Sequence, residues 1–379
     1  MRLATRRWLA LAVAMLASLV VACPARALVQ HVDGTPEAKP PDGVVGRWAQ
    51  NGSAVAIGPN FIITARHQLG GQGSSVYFNG VEYKVGEVRT PNQDGLSNAD
   101  IRVARIWTVD GKPANLEDFV SVQESQSEKG KTVTLGGFGK GRGSELKTPG
   151  GVTYAYQWAG ADNHTQRWGA NTILDYAYNV AAGSYVSNCL VMDFDGMYLD
   201  GWVANESAGA LWDSGGGWFI YDAKASPHVW RAAALTAYTE HAEASWFRDS
   251  ATGAEDPDWN WGIRVASYAD WIKSHSDQWT ILPGDANLDG KVDVGDLGVL
   301  GQYYGRTSGM TWQTCDFNGD GAVDVGDLGI LGDNYGQNSP PPAPAGGLSQ
   351  AVVLAPEPAG ILLLIAGAVT AFRRRRRDR

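Results

Sequence analysis

Residues 52–67 read GSAVAIGPNFIITARH, and this stretch decides how the middle of the chain folds. Two apolar runs, 53–57 and 61–65, flank the turn sequence GPN at 58–60. Strand-length apolar runs on either side of such a turn predict a β-hairpin. The second run ends in Thr-Ala-Arg-His, which places His67 at the end of a buried strand. Considered alone, this histidine is best explained as an ordinary residue at a strand end.

Short strands and turns continue on both sides of this hairpin. Alternating apolar residues around Asn79-Gly80 predict a second hairpin, and the runs 132–135, 218–221 and 229–235 predict further strands. Apolar residues at helical spacing in 265–274 predict one late helix. About 250 residues of short strands followed by one helix favour a mainly β fold built from β-barrels.

Two more motifs accompany the histidine motif. Asn98-Ala-Asp100-Ile opens an apolar strand, and Asp213-Ser214 is followed by three glycines. The order His, Asp, Ser along the chain, with Thr-Ala-x-His and Asp-Ser-Gly-Gly as the local sequences, resembles the chymotrypsin-like serine proteases. The resemblance covers roughly residues 45–275 in four islands, and the last island is similar to the closing helix of that fold. It implies a double β-barrel domain with a C-terminal helix that hydrolyses a peptide or protein substrate.

The resemblance also implies a role for each motif residue. His67 would be the general base, Asp100 would orient it, and Ser214 would be the nucleophile. The backbone N–H groups of Trp212 and Ser214 would form the oxyanion hole. Ala208, six residues before the serine, would form the floor of the specificity pocket, which argues against selectivity for Lys or Arg.

Three departures from the family pattern leave an alternative open. Trp212 stands where Gly is usual, so we expect its peptide to flip and leave the oxyanion hole half formed until substrate binds. The usual cysteines near the histidine and the serine are missing. The sequence at 44–47 is a poor substitute for an activation terminus, which leaves Asp213 without an assured ion-pair partner. The alternative is a catalytically weak or inactive homologue that acts as a surface or matrix binding protein or as a structural protein.

A second element is a loop that repeats at a spacing of 31 residues, from 285 to 316. Oxygen-bearing side chains occur at loop positions 1, 3, 5, 9 and 12, glycine occurs at position 6, and position 7 contributes only a backbone carbonyl. This is the EF-hand spacing that supplies calcium with six to eight oxygens, so two Ca²⁺ sites are predicted. The alternative, an acidic turn-rich loop, is disfavoured by two copies in register. The predicted ligands are Asp285, Asn287, Asp289, Lys291, Asp293 and Asp296, then Asp316, Asn318, Asp320, Ala322, Asp324 and Asp327.

An apolar face at helical spacing follows each loop, which predicts two helices. Each face contains two leucines and a tyrosine: Leu297, Leu300 and Tyr304, then Leu328, Leu331 and Tyr335. The two loop-and-helix units resemble a type I dockerin over about residues 283–337. The resemblance implies a small, helical, EF-hand-like calcium module that binds a cohesin-type domain.

Both ends of the chain look like targeting segments. Three arginines, an apolar run and Ala25-Arg26-Ala27 predict a signal peptide at 1–27, with lipidation of Cys23 as the alternative. A proline-rich linker at 338–355 precedes a tail at 356–379, where Pro-Glu-Pro, an apolar run and five arginines resemble a PEP-CTERM sorting signal. That resemblance implies an exosortase partner, and a plain tail anchor is the alternative. We therefore expect a bacterial protein exported to the envelope, surface or medium, with transient or permanent membrane attachment.

Composition narrows the function classes. The chain has 379 residues, 48 of them glycine, and 19% of its residues are charged, which excludes a coiled coil, a disordered chain and a polytopic membrane protein. The two ends hold ten arginines and two acidic residues, which leaves 21 basic and 38 acidic residues, a formal charge of −17, for 28–355. Such a body argues against a nucleic-acid partner. Cys189 and Cys315 fall in different predicted domains, 28–278 and 283–337, so no disulfide framework is expected.

Overall fold

The computed structural model describes residues 28–32, 34–49, 51–159, 164–224, 229–276 and 281–339. The predicted signal peptide, Cys23, the sorting tail and the linker beyond residue 339 lie outside the described residues. Within them, no helix is long and apolar enough to cross a bilayer. The two described cysteines, Cys189 and Cys315, are buried free thiols.

A closed barrel of six antiparallel strands forms the first half of the β domain. After the short strand β1 (Val29–Gln30), the barrel contains β2 (Val45–Trp48), β3 (Gly52–Gly58), β4 (Phe61–Ala65), β5 (Ser75–Phe78), β6 (Val81–Arg89) and β7 (Ile101–Thr108). The strands pair in the order β2-β3-β4-β7-β6-β5, and β5 closes onto β2. Asn79 and Gly80 turn the β5–β6 hairpin with φ values of 49° and 78°, as a type I′ turn requires.

The second half contains one large sheet and two small ones. Its strands are β8 (Ser121–Val122), β9 (Thr132–Gly137), β10 (Gly141–Lys147), β11 (Thr153–Ala159), β12 (Arg167–Thr172), β13 (Asp175–Ala182), β14 (Tyr185–Asp193), β15 (Ser207–Ala208), β16 (Gly217–Asp222), β17 (Val229–Thr239), β18 (Ala244–Trp246) and β19 (Trp259–Arg264). The large sheet has the order β12-β9-β16-β17-β19-β14-β13, with β8 parallel to β17. The small sheets are β10-β11-β18 and β1-β15. A 3-10 turn at Val265–Ser267 and the helix α1 (Ala269–Ser274) follow.

Strand β4 is buried on both faces. Its residue Ile62 belongs to the cluster inside the barrel with Trp48, whereas the adjacent Ile63 belongs to a second cluster with Phe219 and Leu235 of the large sheet. Neighbouring residues of a strand point to opposite faces, so a strand covered on both sides is apolar without interruption. This explains why the run at 61–65 lacks polar alternation.

The C-terminal module contains the helices α2 (Val294–Tyr303) and α3 (Val325–Asn334), one after each acidic loop, as predicted. Asp293 and Asp324 cap them, because each side chain accepts an N–H of the first turn at 2.7 Å. The predicted apolar faces are only partly buried. Leu300 and Leu331 enter the module core, whereas the remaining members of each face are exposed: Leu297, Tyr304, Leu328 and Tyr335. The two tyrosines lie just beyond the helix ends.

The module contacts the first barrel through the segment after β7. The Asn115 side chain accepts the Ile281 N–H at 3.0 Å and donates to its carbonyl at 3.1 Å, which imitates a rung of a β-ladder. Trp107 of β7 packs against the module core, and Lys112 lies against the second acidic loop at Gly319. The barrel and the module therefore share a packed boundary.

The mainly β class, one closed barrel and a small helical calcium-type module are confirmed. The second barrel is not, because the pairing of the described strands in the large sheet does not close. The late helix is shorter than the apolar spacing at 265–274 predicts, since its first residues form a 3-10 turn.

Candidate active site and calcium loops

Three side chains from separate sequence motifs meet beyond the ends of β4 and β7. Ala65 at the end of β4 pairs with Ile101 at the start of β7, so the residues just outside these positions are neighbours. His67 Nδ1 lies 2.6 Å from Asp100 Oδ2, and His67 Nε2 lies 2.8 Å from Ser214 Oγ. The Asp100 carboxylate is fully buried, whereas 33% of the His67 side chain is exposed. The serine hydroxyl thus has a base within hydrogen-bond distance, and that base has a buried carboxylate behind it.

The sequence motifs did not reveal the other groups that hold Asp100. The His67 backbone N–H donates to Oδ1 at 2.7 Å, and the Tyr238 hydroxyl donates to Oδ2 at 2.8 Å. The Asp100 N–H itself donates to Ser187 Oγ at 2.9 Å. Burial and the neighbouring carboxylate raise the pKa of Tyr238 well above its usual value, so this hydroxyl stays a donor. Tyr238 is 138 residues from Asp100 in sequence, and no local pattern marks it.

The turn around Ser214 leaves two backbone donors available. The N–H groups of residues 213, 215 and 216 donate to main-chain carbonyls at 2.7–3.0 Å. Within the described ranges, no protein acceptor pairs with the N–H of Trp212 or with that of Ser214. Trp212 and Ser214 are half-buried, so their two N–H groups remain open to water or to an oxygen of a bound molecule.

Trp212 does not show the expected flip. Its φ is 77°, the left-handed region that glycine enters freely and other residues rarely adopt. The Leu211 carbonyl accepts the Lys140 N–H at 2.8 Å, and the Trp212 carbonyl accepts Ser53 Oγ at 3.2 Å. The Lys140 ammonium also lies 5.4 Å from the indole ring centroid. Because a trans peptide directs its carbonyl and N–H to opposite sides, anchoring the Leu211 carbonyl turns the Trp212 N–H away from Lys140.

Ala208 lies in an apolar environment. It pairs with Val29 between β1 and β15 and belongs to a buried cluster with Tyr156, Phe194 and Phe247. The next residue is held in place, since its N–H donates to Asn260 Oδ1 at 3.0 Å. Its role as the floor of a specificity pocket stays a prediction.

Asp213 has a partner that the sequence did not indicate. Its carboxylate is fully buried and accepts the N–H groups of Gly139 at 2.8 Å, Ala210 at 3.0 Å and Leu28 at 3.2 Å. Burial raises the pKa of Asp213 to about 7. The weak activation-terminus candidate at 44–47 lies elsewhere, because its first two residues are buried in the core. Leu28 is also the first residue after the predicted signal-peptide cleavage site.

The two acidic loops are held in shape by equivalent sets of hydrogen bonds from backbone N–H groups to the carboxylates at positions 1 and 12. Asp285 accepts the N–H groups of residues 289 and 290, and Asp296 accepts those of 286, 287 and 293. Asp316 and Asp327 repeat this pattern. All four carboxylates are buried, and burial together with the nearby Asp296 raises the pKa of Asp285 to about 6. Positions 1 and 12 therefore shape the backbone of each loop.

The other predicted ligands lie toward the outside of the loops. They are Asn287, Asp289, Lys291 and Asp293, then Asn318, Asp320, Ala322 and Asp324, and in both loops the asparagine amide donates to the next aspartate at 3.0–3.1 Å. In the part of the chain that the structure describes, no three His, Cys, Asp or Glu side chains are gathered closely enough to hold a metal ion. The donors fit calcium in kind, since all are oxygens.

Comparison with known families identifies the C-terminal module. Residues 283–333 match the dockerin type I domain. Dockerin type I domains bind calcium and cohesin partners, and they occur in extracellular or cell-surface proteins. No curated protein matches the chain. The family match covers residues 283–333 and does not extend into the β domain.

Proposed function

We propose that the β domain is a serine endopeptidase in which Ser214, His67 and Asp100 act as a catalytic triad. The observation that carries this proposal is the continuous path of hydrogen bonds from Asp100 through His67 to Ser214 Oγ, at 2.6 and 2.8 Å. The two unpaired N–H groups in the Ser214 turn support it independently. We include in this proposal that the β domain is related to the chymotrypsin-like proteases and that its second half corresponds to their second barrel.

The geometry supports a two-step acyl transfer. His67 Nε2 takes the proton of Ser214 Oγ while that oxygen bonds to the carbonyl carbon of the substrate. The N–H groups of Trp212 and Ser214 stabilise the negative charge that develops on the carbonyl oxygen. Asp100 stabilises the imidazolium, which then gives its proton to the leaving amine. Water, deprotonated by the same histidine, hydrolyses the acyl-enzyme and regenerates the serine.

The apolar surroundings of Ala208 favour substrates with a small or uncharged side chain next to the scissile bond. A carboxylate at the floor of such a pocket is the usual basis for selecting Lys or Arg.

Labelling with a fluorophosphonate probe tests the triad, because the probe reacts only with an activated serine. We expect one label on Ser214, with and without calcium, and its loss in Ser214→Ala and in His67→Ala. The matched control is His241→Ala, since His241 Nδ1 also contacts a buried carboxylate, Asp258, at 2.5 Å. Within the described residues, no hydroxyl bonds to the other ring nitrogen of His241, so labelling should persist.

The same experiment distinguishes the serine endopeptidase from the alternative, an inactive homologue with a binding or structural role. A wild-type protein that folds but takes up no label, or a Ser214→Ala protein that is still labelled at this site, would assign the β domain to the inactive binding or structural homologues.

We further propose that the module binds two Ca²⁺ ions and docks onto a cohesin-type domain. The duplicated loops supply the oxygens, and three apolar positions of each copy are exposed although the module has its own core. Their exposed fractions match between the copies: 70% and 71% for Val294 and Val325, 41% and 38% for Leu297 and Leu328, and 51% and 52% for Tyr304 and Tyr335. Export, the sorting tail and its exosortase partner belong to the same proposal.

Isothermal titration of the full chain with calcium tests the module. We expect two ions per chain and little uptake by Asp285→Ala combined with Asp316→Ala, since position 1 of each loop is lost. The double variant should keep fluorophosphonate labelling at 25 °C. An absence of calcium uptake by the wild type would contradict the calcium proposal while leaving the protease proposal standing.

A further inference from the structure

The residue after the catalytic histidine reaches beneath the nucleophile. Gln68 directly follows His67, yet only 5% of it is exposed. Its amide nitrogen donates to the Ser214 carbonyl, to Thr64 Oγ1 at 3.1 Å and to the Ser53 carbonyl at 3.4 Å. Two consecutive residues therefore contact the nucleophile, one at its hydroxyl and one at its backbone.

The chemistry of the neighbours fixes which end of the Gln68 amide faces the turn. The Ser53 and Ser214 carbonyls can only accept, and the Thr64 hydroxyl already donates to the Ser53 carbonyl at 2.7 Å. All three can only accept a hydrogen bond from Gln68, and of its two amide atoms only Nε2 can donate. The amide oxygen is directed toward Gly52 and, among the described residues, has no hydrogen-bond partner. A buried polar atom without a partner is unfavourable, so the bonds made by the nitrogen must hold this side chain in place.

Ser53 also holds the turn around Ser214 in place. Its N–H donates to the Ser214 carbonyl at 2.9 Å, and its hydroxyl donates to the Trp212 carbonyl at 3.2 Å. The Gly215 N–H then donates to the Thr236 carbonyl at 2.8 Å, so the peptide after the nucleophile is fixed at both ends. With the Ser214 carbonyl accepting two bonds, the backbone that carries Oγ has little freedom to rotate.

We propose that Gln68 is a positioning residue for the nucleophile. Through the Ser214 carbonyl, its amide keeps Oγ within reach of His67 and keeps the Trp212 and Ser214 N–H groups directed at one point. Gln68 does not itself contact substrate in this proposal. The inference rests on the proposed protease function and assigns a role that the sequence motifs did not suggest.

The test is Gln68→Met, which keeps the length and the apolar burial but removes the donor. We expect kcat on a fluorogenic alanyl peptide to fall about 10²-fold, because a small misplacement of a reacting group has effects of that size. KM should stay within about twofold, since the residue acts on the transition state and not on substrate binding. The second-order rate of fluorophosphonate labelling should fall with kcat.

A matched control separates positioning from ordinary core packing. Gln123 is 3% exposed, and its amide donates to the Ser125 carbonyl at 3.0 Å, away from the Ser214 turn. Gln123→Met therefore loses a comparable buried donor. It should lower the unfolding temperature about as much as Gln68→Met does and leave kcat unchanged.

A second variant reaches the same group without removing it. A Cβ at Gly52 would lie 1.7 Å from the Gln68 amide oxygen, so Gly52→Ala must displace the side chain. We expect the same selective fall in kcat, and this variant carries the test if Gln68→Met does not fold. An unchanged kcat, or a change in KM alone, in either folded variant would overturn the proposal. A wild type that takes up no label would instead overturn the protease function.

Discussion

At the scale of single residues, Trp212 is the most unusual position in the site. A non-glycine residue at positive φ carries strain of about 1–3 kcal/mol and persists only when its surroundings hold it. Here the flanking carbonyls are bonded to Lys140 and Ser53, and the ring lies beside the lysine ammonium. The contacts of the same turn therefore offset the strain, and in the proposed protease the Trp212 N–H would be available as an oxyanion donor before substrate binds.

The variant Trp212→Gly distinguishes a fully formed oxyanion hole from one that has lost a donor because the Trp212 peptide is flipped. Because the Trp212 N–H already points away from Lys140, we expect kcat of the variant to stay within about threefold of the wild-type value. A hole that lacked one donor in the wild type would instead gain about 10²–10³ in turnover on this substitution. Steady-state kinetics on the alanyl peptide, with active sites counted by the fluorophosphonate label, make the comparison.

Asp213 makes the pH dependence of stability sensitive to the N-terminus. With Ala27 still attached, Leu28 offers only a neutral N–H, and the pKa of Asp213 is raised from 3.8 to about 7. A carboxyl whose pKa is higher in the folded state binds its proton more tightly there, so stability is lost as pH rises from about 4 to about 7. Cleavage after Ala27 would place an ammonium beside the carboxylate and lower that pKa.

A chain that begins at Leu28 should therefore lose less stability between pH 5 and pH 7.5 than a chain that begins at Ala27. We expect a difference of about 1–3 kcal/mol in the free energy of unfolding, measured by urea titration at both pH values. Asp213→Asn introduced into both chains is the control, and it should remove most of the difference. Parallel pH profiles for the two unsubstituted chains would contradict the role given to the Leu28 nitrogen.

At the scale of strands and helices, the sequence predicted individual hairpins and helices well but did not predict whether the strands of the large sheet close into a barrel. The hairpins at 53–65 and around Asn79-Gly80 follow from apolar runs and turn residues, and both are present. The helices after the acidic loops follow from periodicity. Whether the large sheet closes depends on which distant strands pair, and no residue pattern along one strand contains that information.

The same limit applies to the candidate site. His67, Asp100 and Ser214 could be selected because each lies in a short motif, and β4 pairs with β7 to bring the first two together. Tyr238, Ser53 and Gln68 act through contacts between distant segments and have no motif. The conformation of Trp212 differs from the flip that we expected, because the bonds that hold it come from residues far along the chain.

At the scale of the whole molecule, the boundary between module and barrel should couple calcium binding to the stability of the barrel. A ligand that binds only the folded module stabilises whatever unfolds with it. We expect calcium to raise the temperature at which fluorophosphonate labelling is lost by about 2–4 °C, which corresponds to about 1 kcal/mol for a domain of this size. Asn115→Gly should reduce this shift, because it removes the bonds to Ile281 while tolerating the local φ of 45°.

Asn179→Gly provides the matched control. Asn179 is a second asparagine at positive φ, 54°, and it lies exposed in the second half of the β domain, away from the module. Its substitution should leave the calcium-dependent shift at the wild-type value. Equal shifts in wild type, Asn115→Gly and Asn179→Gly would show that the module and the barrel unfold independently.

The contacts of Asn115 and Trp107 with the module also fix the orientation of the module relative to the first barrel. In a protease built this way, the catalytic site would be held at one angle and one distance from the partner that the module binds. Only polypeptides that reach this position near the partner could be cleaved. The position of the module would then restrict which substrates are cleaved, and the side chain next to the scissile bond would need to contribute less to selectivity.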